Sequence, residues 1–143
     1  MKIPTKITHR NAVLPERQYP DDAGSDLRSI ETRVLGVMER HLFHTGIHLE
    51  IPEGHCGMVI PRSGFAAEHG VTVLNAPGLI DADFRGEVLV NLINLGHGPV
   101  KIQAGDRIAQ LVVIRYERPA FVNVLELSKT RRGEASHGST GTR

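Results

Sequence analysis

The chain has 143 residues and a mass of 15.7 kDa, which is the size of one ordinary domain, and its 40% of hydrophobic residues suffice for a buried core. Its 17 Lys and Arg residues nearly balance its 16 Asp and Glu residues, leaving a formal net charge of +1. Such a chain lacks the positive field that attracts duplex DNA or an acidic membrane. We therefore expect neither nucleic acid nor a membrane as a partner, and any bound anion must be held by local contacts.

The single cysteine, Cys56, cannot form an internal disulfide, and the first residues, MKIPTKITHRNAVLP, contain no apolar run typical of a secretory signal or membrane anchor. No later stretch has the length and apolarity of a membrane-spanning helix. We therefore predict a cytoplasmic protein. Its folded domain is expected over residues 1–127 and a tail over residues 128–143.

Along the chain, apolar residues recur in short β-branched runs separated by turn residues, which favours strands over helices. Turn chemistry is found in YPDDAGSD (19–26), IPEGH (51–55), NLGHGP (94–99) and QAGD (103–106). The clearest predicted strands are EVLVNLINL from Glu87, RIAQLVVIRY from Arg107 and FVNVLEL from Phe121. The pattern predicts an all-β sandwich, barrel or jelly roll with mostly antiparallel connections.

The segment RSGFAAEHGV (62–71) is the exception, because it predicts a short α-helix with Ser63 as the N-cap and Gly70 as the stop. It is the only helix that we predict. An arginine and a hydroxyl at the start of a helix suit a phosphate group, since the first helical amides are unpaired. A simple helix cap beside a solvated arginine is the alternative interpretation.

Two further segments contain polar residues in positions that suit a binding site. In PGLIDADFRGEV (77–88), Asp81 and Asp83 lie in a loop between strands, where side chains are both exposed and held in place. A hairpin whose acids only face water gives the same pattern. In GDRIAQL (105–111), Gln110 interrupts an apolar strand, so its amide either faces solvent or bonds a polar partner.

The tail, RRGEASHGSTGTR (131–143), contains no aliphatic side chain larger than Ala135 and so cannot join a hydrophobic core. Glycine-rich and hydroxyl-rich segments allow backbone amides to close onto phosphate oxygens. The same composition is typical of a disordered end, and the two interpretations are compatible if an anionic ligand orders the tail. Among eight histidines, His41, His44 and His48 are the closest set, but Gly46 and the β pattern argue against a dedicated zinc site.

Five segments, taken in order, resemble the five motifs of the trimeric dUTP diphosphatases (dUTPases). They are AGSDLRS (23–29), PRSGFAAEHGV (61–71), NAPGLIDADFRGEVLVNLIN (75–94), GDRIAQLVV (105–113) and RGEASHGSTG (132–141). Each motif is weak alone, but all of them in the right order form a specific signal. The resemblance implies a β jelly roll (β-clip) with one short α-helix and a flexible C-terminal arm. It also implies a homotrimer with an active site at each subunit interface, where the arm of one subunit, residues 128–143, covers a neighbour's site.

The resemblance implies hydrolysis of dUTP to dUMP and pyrophosphate, which limits uracil in DNA and supplies dUMP for dTTP synthesis. In this family a carboxylate activates the water that attacks the α-phosphorus, and Asp81 matches that catalytic aspartate. The expected cofactor is Mg²⁺, chelated by the phosphates. Asp26 would act on the metal through water.

The remaining family contacts also map onto this chain. The expected phosphate contacts are Arg62, Ser63, Gly64 and Gln110 in the domain and Arg132 in the arm. Ser139 and Thr140 are expected to add hydroxyl donors, and Gly138 is expected to bind substrate. The expected base and sugar contacts are Asn75, Leu79, Ile80, Phe84, Leu89 and His137. The chain departs from the family where Phe84 replaces a tyrosine, and where RGEASHG replaces RGxGGFG, which places His137 over the uracil.

Two other functions remain open at this stage. A related branch of the fold deaminates dCTP with a glutamate near the position of Asn91, but an asparagine cannot relay that proton. Other proteins of this fold are nucleotide-dependent regulators that bind other proteins. An intact Asp81 favours the enzyme without excluding a regulatory role.

Overall fold

A computed structural model of the chain describes residues 1–135. Within that range the chain forms ten strands and one helix. Their bounds are β1 Thr5–Ile7, β2 Ser25–Arg28, β3 Arg33–Leu35, β4 Arg40–Leu49, β5 His55–Ile60, α1 Ser63–His69, β6 Val71–Val73, β7 Gly78–Ile80, β8 Glu87–Asn94, β9 Val100–Ile102 and β10 Arg107–Arg115. The prediction of an all-β protein with one short α-helix is thus confirmed for the described residues.

The strands form two four-stranded sheets, in the orders β1-β4-β8-β6 and β2-β10-β5-β7, and a small third sheet, β3-β9. Every pair is antiparallel, as predicted. Both large sheets contribute to one hydrophobic core, with Phe43 and Val90 from the first and Leu27 and Val59 from the second. Burying each such side chain stabilises the fold by about 1.5–3 kcal/mol. This jelly roll leaves the loops at the sheet ends available for a site.

The strands predicted from Glu87 and Arg107 are both present and follow the expected burial. Along β8, buried and half-buried residues alternate, so that Val88, Val90 and Leu92 face the core. β10 is the second strand of its sheet, between β2 and β5. Its central position accounts for the long apolar run from Ile108.

The helix ends as predicted but begins differently. Gly70 ends it with a left-handed φ of 68°, and its N–H donates to the carbonyl of Ala66. A Cβ on Gly70 would lie 2.6 Å from the backbone of Gly96, so glycine is required there. The prediction of Ser63 as N-cap is wrong, because Arg62 leaves β5 in an extended conformation and is itself the N-cap, without a side-chain cap.

The strand predicted from Phe121 is absent from the described chain. Residues 117–135 contain no strand and are all exposed, including Phe121 at 95% and Leu125 at 103% relative accessibility. Strand patterning needs a neighbouring strand to accept its hydrogen bonds, and none of the ten described strands pairs with this segment. The boundary at residue 127 stays a prediction. No helix within residues 1–135 is long and apolar enough to cross a membrane.

Candidate active site

Asp26 lies on β2 and is only 3% exposed. Its Oδ2 accepts a hydrogen bond from Arg107 Nη1 at 3.0 Å, and its Oδ1 accepts one from Gln110 Nε2 at 3.3 Å. Arg62 Nε lies 3.3 Å from Oδ1 and forms a second ion pair. We call these four residues the Asp26 cluster. The carboxylate is therefore paired, as its burial requires.

Sheet register brings the members of the Asp26 cluster together. Gln110 on β10 is opposite Asp26 on β2 and opposite Ile60 on β5. The chain turns just after Ile60, which places the Arg62 guanidinium over the same spot, where its Nη1 donates to the carbonyl of Arg107 at 2.9 Å. Gly24 is also part of this arrangement, since a Cβ there would lie 3.2 Å from the Gln110 side chain.

The Asp26 cluster unites three residues that the sequence singled out separately and adds Arg107, which it did not. Arg107 precedes the apolar run of its strand, where a charged residue is common, so the sequence alone gave no signal for it. Gln110 does not simply face solvent, because its amide bonds the buried carboxylate. Ser63 and Gly64 are exposed at the start of α1, and nothing lies within 4 Å of the place where a Cβ of Gly64 would be.

The second group of predicted residues lies in and around the loop 81–86, which we call the Asp81 loop. It connects β7 to β8 and closes on itself, since the Phe84 N–H donates to the Asp81 carbonyl and Arg85 Nη1 donates to the carbonyls of Ala82 and Phe84. Asp81 and Asp83 are both exposed. Neither carboxylate forms an ion pair with any residue in the range 1–135.

A mainly apolar cavity of about 240 Å³ lies beside the Asp81 loop. Its lining residues are Leu79, Ile80, Asp81, Phe84, Glu87, Val88 and Leu89, which include five predicted site residues. Single-chain ligand sites usually enclose about 300–1,000 Å³, so this cavity is small for a whole nucleotide. On its other side, Asp81 borders an open depression of about 760 Å³ with mixed charges, including the Arg118–Glu53 ion pair.

Glycines shape the surroundings of this cavity. The Phe84 ring lies over Gly86, where a Cβ would be only 2.4 Å from Cζ of the ring. Asn75 is exposed in the turn before β7, and its Nδ2 lies 3.2 Å from the place where a Cβ of Gly78 would be. Both glycines thus leave room for a polar or aromatic side chain that the sequence predicted to contact substrate.

The Asp26 cluster and Asp81 lie at opposite ends of β5. β7 pairs antiparallel with β5 so that Ile80 is opposite Gly57, which places Asp81 level with Cys56. Arg62 follows the other end of the same strand. Asp26 is level with Ile60 through Gln110, so the two acids are offset by four residues or about 13 Å along β5 and by three strand spacings or about 14 Å across the sheet, which is about 20 Å in all. One chain therefore does not bring its own Asp81 to its own Asp26 cluster.

The arm residues fall on both sides of the described boundary. Arg132 is exposed, and its Nε donates to the carbonyl of Ala135 at 3.0 Å. The predicted contacts His137, Gly138 and Ser139 lie outside the described residues. Their roles stay predictions.

The three histidines of β4 have separate partners. His41 Nε2 is 2.9 Å from Glu31 Oε1, His44 Nδ1 is 3.0 Å from Glu87 Oε2, and His48 Nδ1 is 3.0 Å from the Arg85 carbonyl. Within residues 1–135, no three His, Cys, Asp or Glu side chains are grouped so as to hold a metal ion.

An arginine cluster beside an open surface suits phosphate groups, and an apolar cavity with an acid at its edge suits a base and a sugar. These are features of a nucleotide-binding β protein. The family profile of the dUTPases matches residues 10–141. The deoxyuridine 5'-triphosphate nucleotidohydrolase of Thermobifida fusca is 52% identical over 129 residues, which cover 90% of this chain and 72% of that protein. The chain therefore belongs to the dUTPase family.

Solved structures agree with this assignment. The dUTPase of Staphylococcus bacteriophage 80alpha with dUPNHPP superposes with a TM-score of 0.92 at 30% identity, covering 98% of each chain. That work describes phage dUTPases as controlling transfer of virulence genes by a proto-oncogenic G protein-like mechanism. A variant of the dUTPase from phage phi11 of S. aureus superposes with a TM-score of 0.82 at 28% identity, covering 88% of this chain and 98% of that one. Its structure details the coordination of a structural Mg(II) ion.

Proposed function

We propose that this protein hydrolyses dUTP to dUMP and pyrophosphate at sites shared between the chains of a homotrimer. The observation that carries the proposal is the exposed Asp81 carboxylate at the edge of an apolar cavity. The dUTPase family profile, which matches residues 10–141, supports the choice of substrate. Such an enzyme removes dUTP, which limits uracil in DNA, and supplies dUMP for dTTP synthesis.

Asp81 is the residue that we assign to the chemical step. Attack on the α-phosphorus needs a water that is oriented and deprotonated as the new bond forms. Asp81 suits this task because its side chain is exposed and forms no ion pair within residues 1–135. Asp83 is exposed on the same loop but does not line the apolar cavity, so we leave it solvated and without a role.

The Asp26 cluster suits the triphosphate of a nucleotide whose base lies against another chain. Arg62 is a quarter exposed, so its guanidinium can reach phosphate oxygens while it stays paired with Asp26. The exposed Ser63 hydroxyl and the open surface at Gly64 add donors and space next to it. Preorganised donors of this kind offset the charge that develops during phosphoryl transfer.

The residues also fit a Mg²⁺ ion that the substrate phosphates chelate. Two hydrogen bonds and an ion pair already occupy most of the roughly four acceptor positions of the Asp26 carboxylate. That leaves about one acceptor position for a water of a hydrated ion, which favours an outer-shell role for Asp26. When bound, Mg²⁺ would neutralise part of the phosphate charge. The phage phi11 relative also binds Mg(II), described there as a structural ion.

Selectivity for the base and sugar is assigned to the cavity and its rim. Leu79, Ile80 and Leu89 form the apolar wall for uracil, and Asn75 supplies a side-chain amide. The Phe84 ring, held over Gly86, would stack beneath the deoxyribose and leave no room for a 2'-hydroxyl. We therefore expect dUTP to be preferred over UTP.

The separation of the two half-sites supports an oligomer, and the resemblance to the trimeric dUTPases favours a homotrimer. Asp81 and Asp26 of one chain are about 20 Å apart across their sheet, so both can contact one nucleotide only if different chains supply them. The exposed segment 117–135 includes Phe121, Leu125 and Leu127, at least 86% exposed, and these apolar side chains need a second chain to cover them. The arm, residues 128–143, would then reach a neighbouring site with Arg132, His137, Gly138 and Ser139.

The two alternatives are less well supported. Asn91 of β8 offers no carboxylate for deamination of dCTP. A nucleotide-dependent regulatory role, such as that described for the phage 80alpha relative, stays a hypothesis because nothing in residues 1–135 identifies a partner.

The direct test is pyrophosphate release from dUTP, dCTP, dTTP and UTP, with ammonia release from dCTP measured in parallel. We expect turnover of dUTP alone, and its loss in Asp81→Asn. Ammonia release from dCTP would instead favour the deaminase. Equal turnover of dUTP by the parent protein and Asp81→Asn would refute the proposed role of Asp81.

A further inference from the structure

The ladder between β4 and β8 is interrupted next to the Asp81 loop. His44 is opposite Leu89, but His48 is opposite Glu87, so residues 45–47 of β4 face only Val88. We call residues 45–47 the β4 bulge. Gly46 within it has a left-handed φ of 67°, and a Cβ there would lie 2.7 Å from the Ala12 side chain. The bulge is therefore a fixed feature that only glycine permits at this position.

Glu87 supplies the contacts that the interrupted ladder lacks. Its Oε1 accepts hydrogen bonds from the backbone N–H groups of Thr45 at 3.1 Å and Gly46 at 2.7 Å. Its Oε2 lies 3.0 Å from His44 Nδ1. The buried Thr45 hydroxyl then donates to the carbonyl of Val88 at 2.6 Å. The carboxylate of Glu87, the first residue of β8, thus contacts three successive residues of β4, namely His44, Thr45 and Gly46.

These contacts lie where the Asp81 loop ends. Glu87 is the first residue of β8 and lines the same cavity as Asp81 and Phe84. The loop's other end is fixed by the pairing of β7 with β5. His48 adds a contact to the Arg85 carbonyl at 3.0 Å, so β4 holds the last residues of the loop as well as the start of β8.

We propose that Glu87 is a positioning residue for the Asp81 loop: by binding the β4 bulge, its carboxylate sets where Asp81 and Phe84 stand relative to a bound nucleotide. The kinetic consequence rests on the proposed dUTP hydrolysis, whereas the anchoring of the loop does not. Small displacements of a catalytic group matter because a shift of about 1 Å can cost about 100-fold in rate.

The charge state of this contact depends on two groups. Burial raises the pKa of Glu87, but the hydrogen bonds from His44, Gly46 and Thr45 outweigh it, so the pKa falls below its usual 4.5. The hydrogen bond to Glu87 raises the pKa of His44 above its usual 6.5. Glu87 of β8 and Glu31 of the loop after β2 are the acids that face His44, and His48 is opposite Glu87 on β4.

Two substitutions separate geometry from charge. Glu87→Ala removes all three contacts, whereas Glu87→Gln retains an oxygen that can accept from the Thr45 and Gly46 amides and loses only the charge. We expect Glu87→Ala to lower kcat/KM for dUTP by roughly 10- to 100-fold. Glu87→Gln should keep most of the activity and abolish the part of the pH dependence of kcat/KM that arises from His44. The matched control is Arg33→Gln, which breaks the Arg33–Glu39 ion pair, a pair that contacts neither His44 nor Glu87, and should leave kcat/KM unchanged.

Amide hydrogen exchange of residues 81–86 provides a readout that does not depend on dUTP turnover. The amides of this loop should lose protection from exchange in Glu87→Ala and retain it in Glu87→Gln and Arg33→Gln. If the parent protein does not hydrolyse dUTP, the proposed function fails, and the exchange data alone then decide whether Glu87 anchors the Asp81 loop. A folded Glu87→Ala variant with parent-like loop exchange, or a Glu87→Gln variant as impaired as Glu87→Ala, would overturn the proposal.

Discussion

Asp26 and Asp81 are the two acids that we assign to the proposed active site, yet their surroundings are opposite. Asp26 is buried in a sheet, and Arg62, Arg107 and Gln110 contact it. Asp81 is exposed on a loop and forms no ion pair within residues 1–135. A buried acid with partners holds guanidinium groups in place for a phosphate, and its removal destabilises the fold. An exposed acid without an ion-pair partner is available to a water and a substrate. The comparison predicts that substitutions at the two positions fail in different ways.

The largest effect is expected at Asp81. Asp81→Asn should lower kcat for dUTP by about 10²- to 10⁴-fold, the usual contribution of a general base. Its melting temperature should match that of the parent, because the side chain is exposed and unpaired. Pyrophosphate release and thermal unfolding measure the two quantities. Asp83→Asn is the control on the same loop, and equal losses in both variants would argue against a specific role for Asp81.

Asp26 should affect stability more than Asp81 does. Asp26→Ala leaves two guanidinium groups facing each other without their shared anion, which should cost roughly 3 kcal/mol of unfolding free energy, at the low end for a broken buried pair because both arginines are partly exposed. Urea unfolding of Asp26→Ala and Asp81→Ala measures the difference. Equal stability of the two variants would remove the structural distinction between the acids.

A smaller effect is expected where a glycine supports the sugar contact. A Cβ at position 86 would displace the Phe84 ring, at a cost of about 1 kcal/mol, or roughly a five-fold rise in KM for dUTP. Discrimination against UTP should fall as well. Gly98→Ala is the matched control, since nothing lies within 4 Å of a Cβ there. Parent-like kinetics in Gly86→Ala would show that the position of the Phe84 ring does not determine substrate selection.

The smallest effect is a pH dependence of stability from the His44–Glu87 pair. Because the pKa of His44 is raised, its contribution is complete below about pH 6.5 and is lost as pH rises through the folded-state value. The lowered pKa of Glu87 means that its contribution is lost as pH falls below about 4.5. The His44 side chain is half exposed, so we expect the pair to contribute less than about 1 kcal/mol to the free energy of unfolding. The melting temperatures of the parent protein and His44→Gln should differ most near pH 6 and converge toward pH 9. A difference that does not change with pH would contradict this assignment.

Sequence reasoning was most successful where local chemistry is strong. The apolar alternation from Glu87, the run from Ile108 and the stop at Gly70 each depend on neighbouring residues in the chain, and each is present in the structure. The pattern from Phe121 is equally strand-like, but no strand within residues 1–135 pairs with it. Strands of three residues, such as β3 and β9, carry too little periodicity to be recognised.

The active site could be predicted only in part, because contacts between distant segments of the chain are not visible in the sequence. Family motifs located Asp26, Arg62 and Gln110, but only sheet register reveals that they meet in one cluster with Arg107. Glu87 went unnoticed because its role depends on a bulge in β4, a distant segment of the sequence. The roles of His137, Gly138 and Ser139 stay predictions.

The central claim is that one active site takes Asp81 and the Asp26 cluster from different chains. Asp81→Asn and Arg62→Ala should each be nearly inactive alone. When the two variants are unfolded, mixed in equal amounts and refolded together, about a quarter of the sites should combine an intact Asp81 from one chain with an intact Arg62 from another. Recovery of about that share of parental dUTP turnover is the predicted result. Activity no higher than the average of the two separate variants, in a mixture shown to form hybrid oligomers, would contradict the claim.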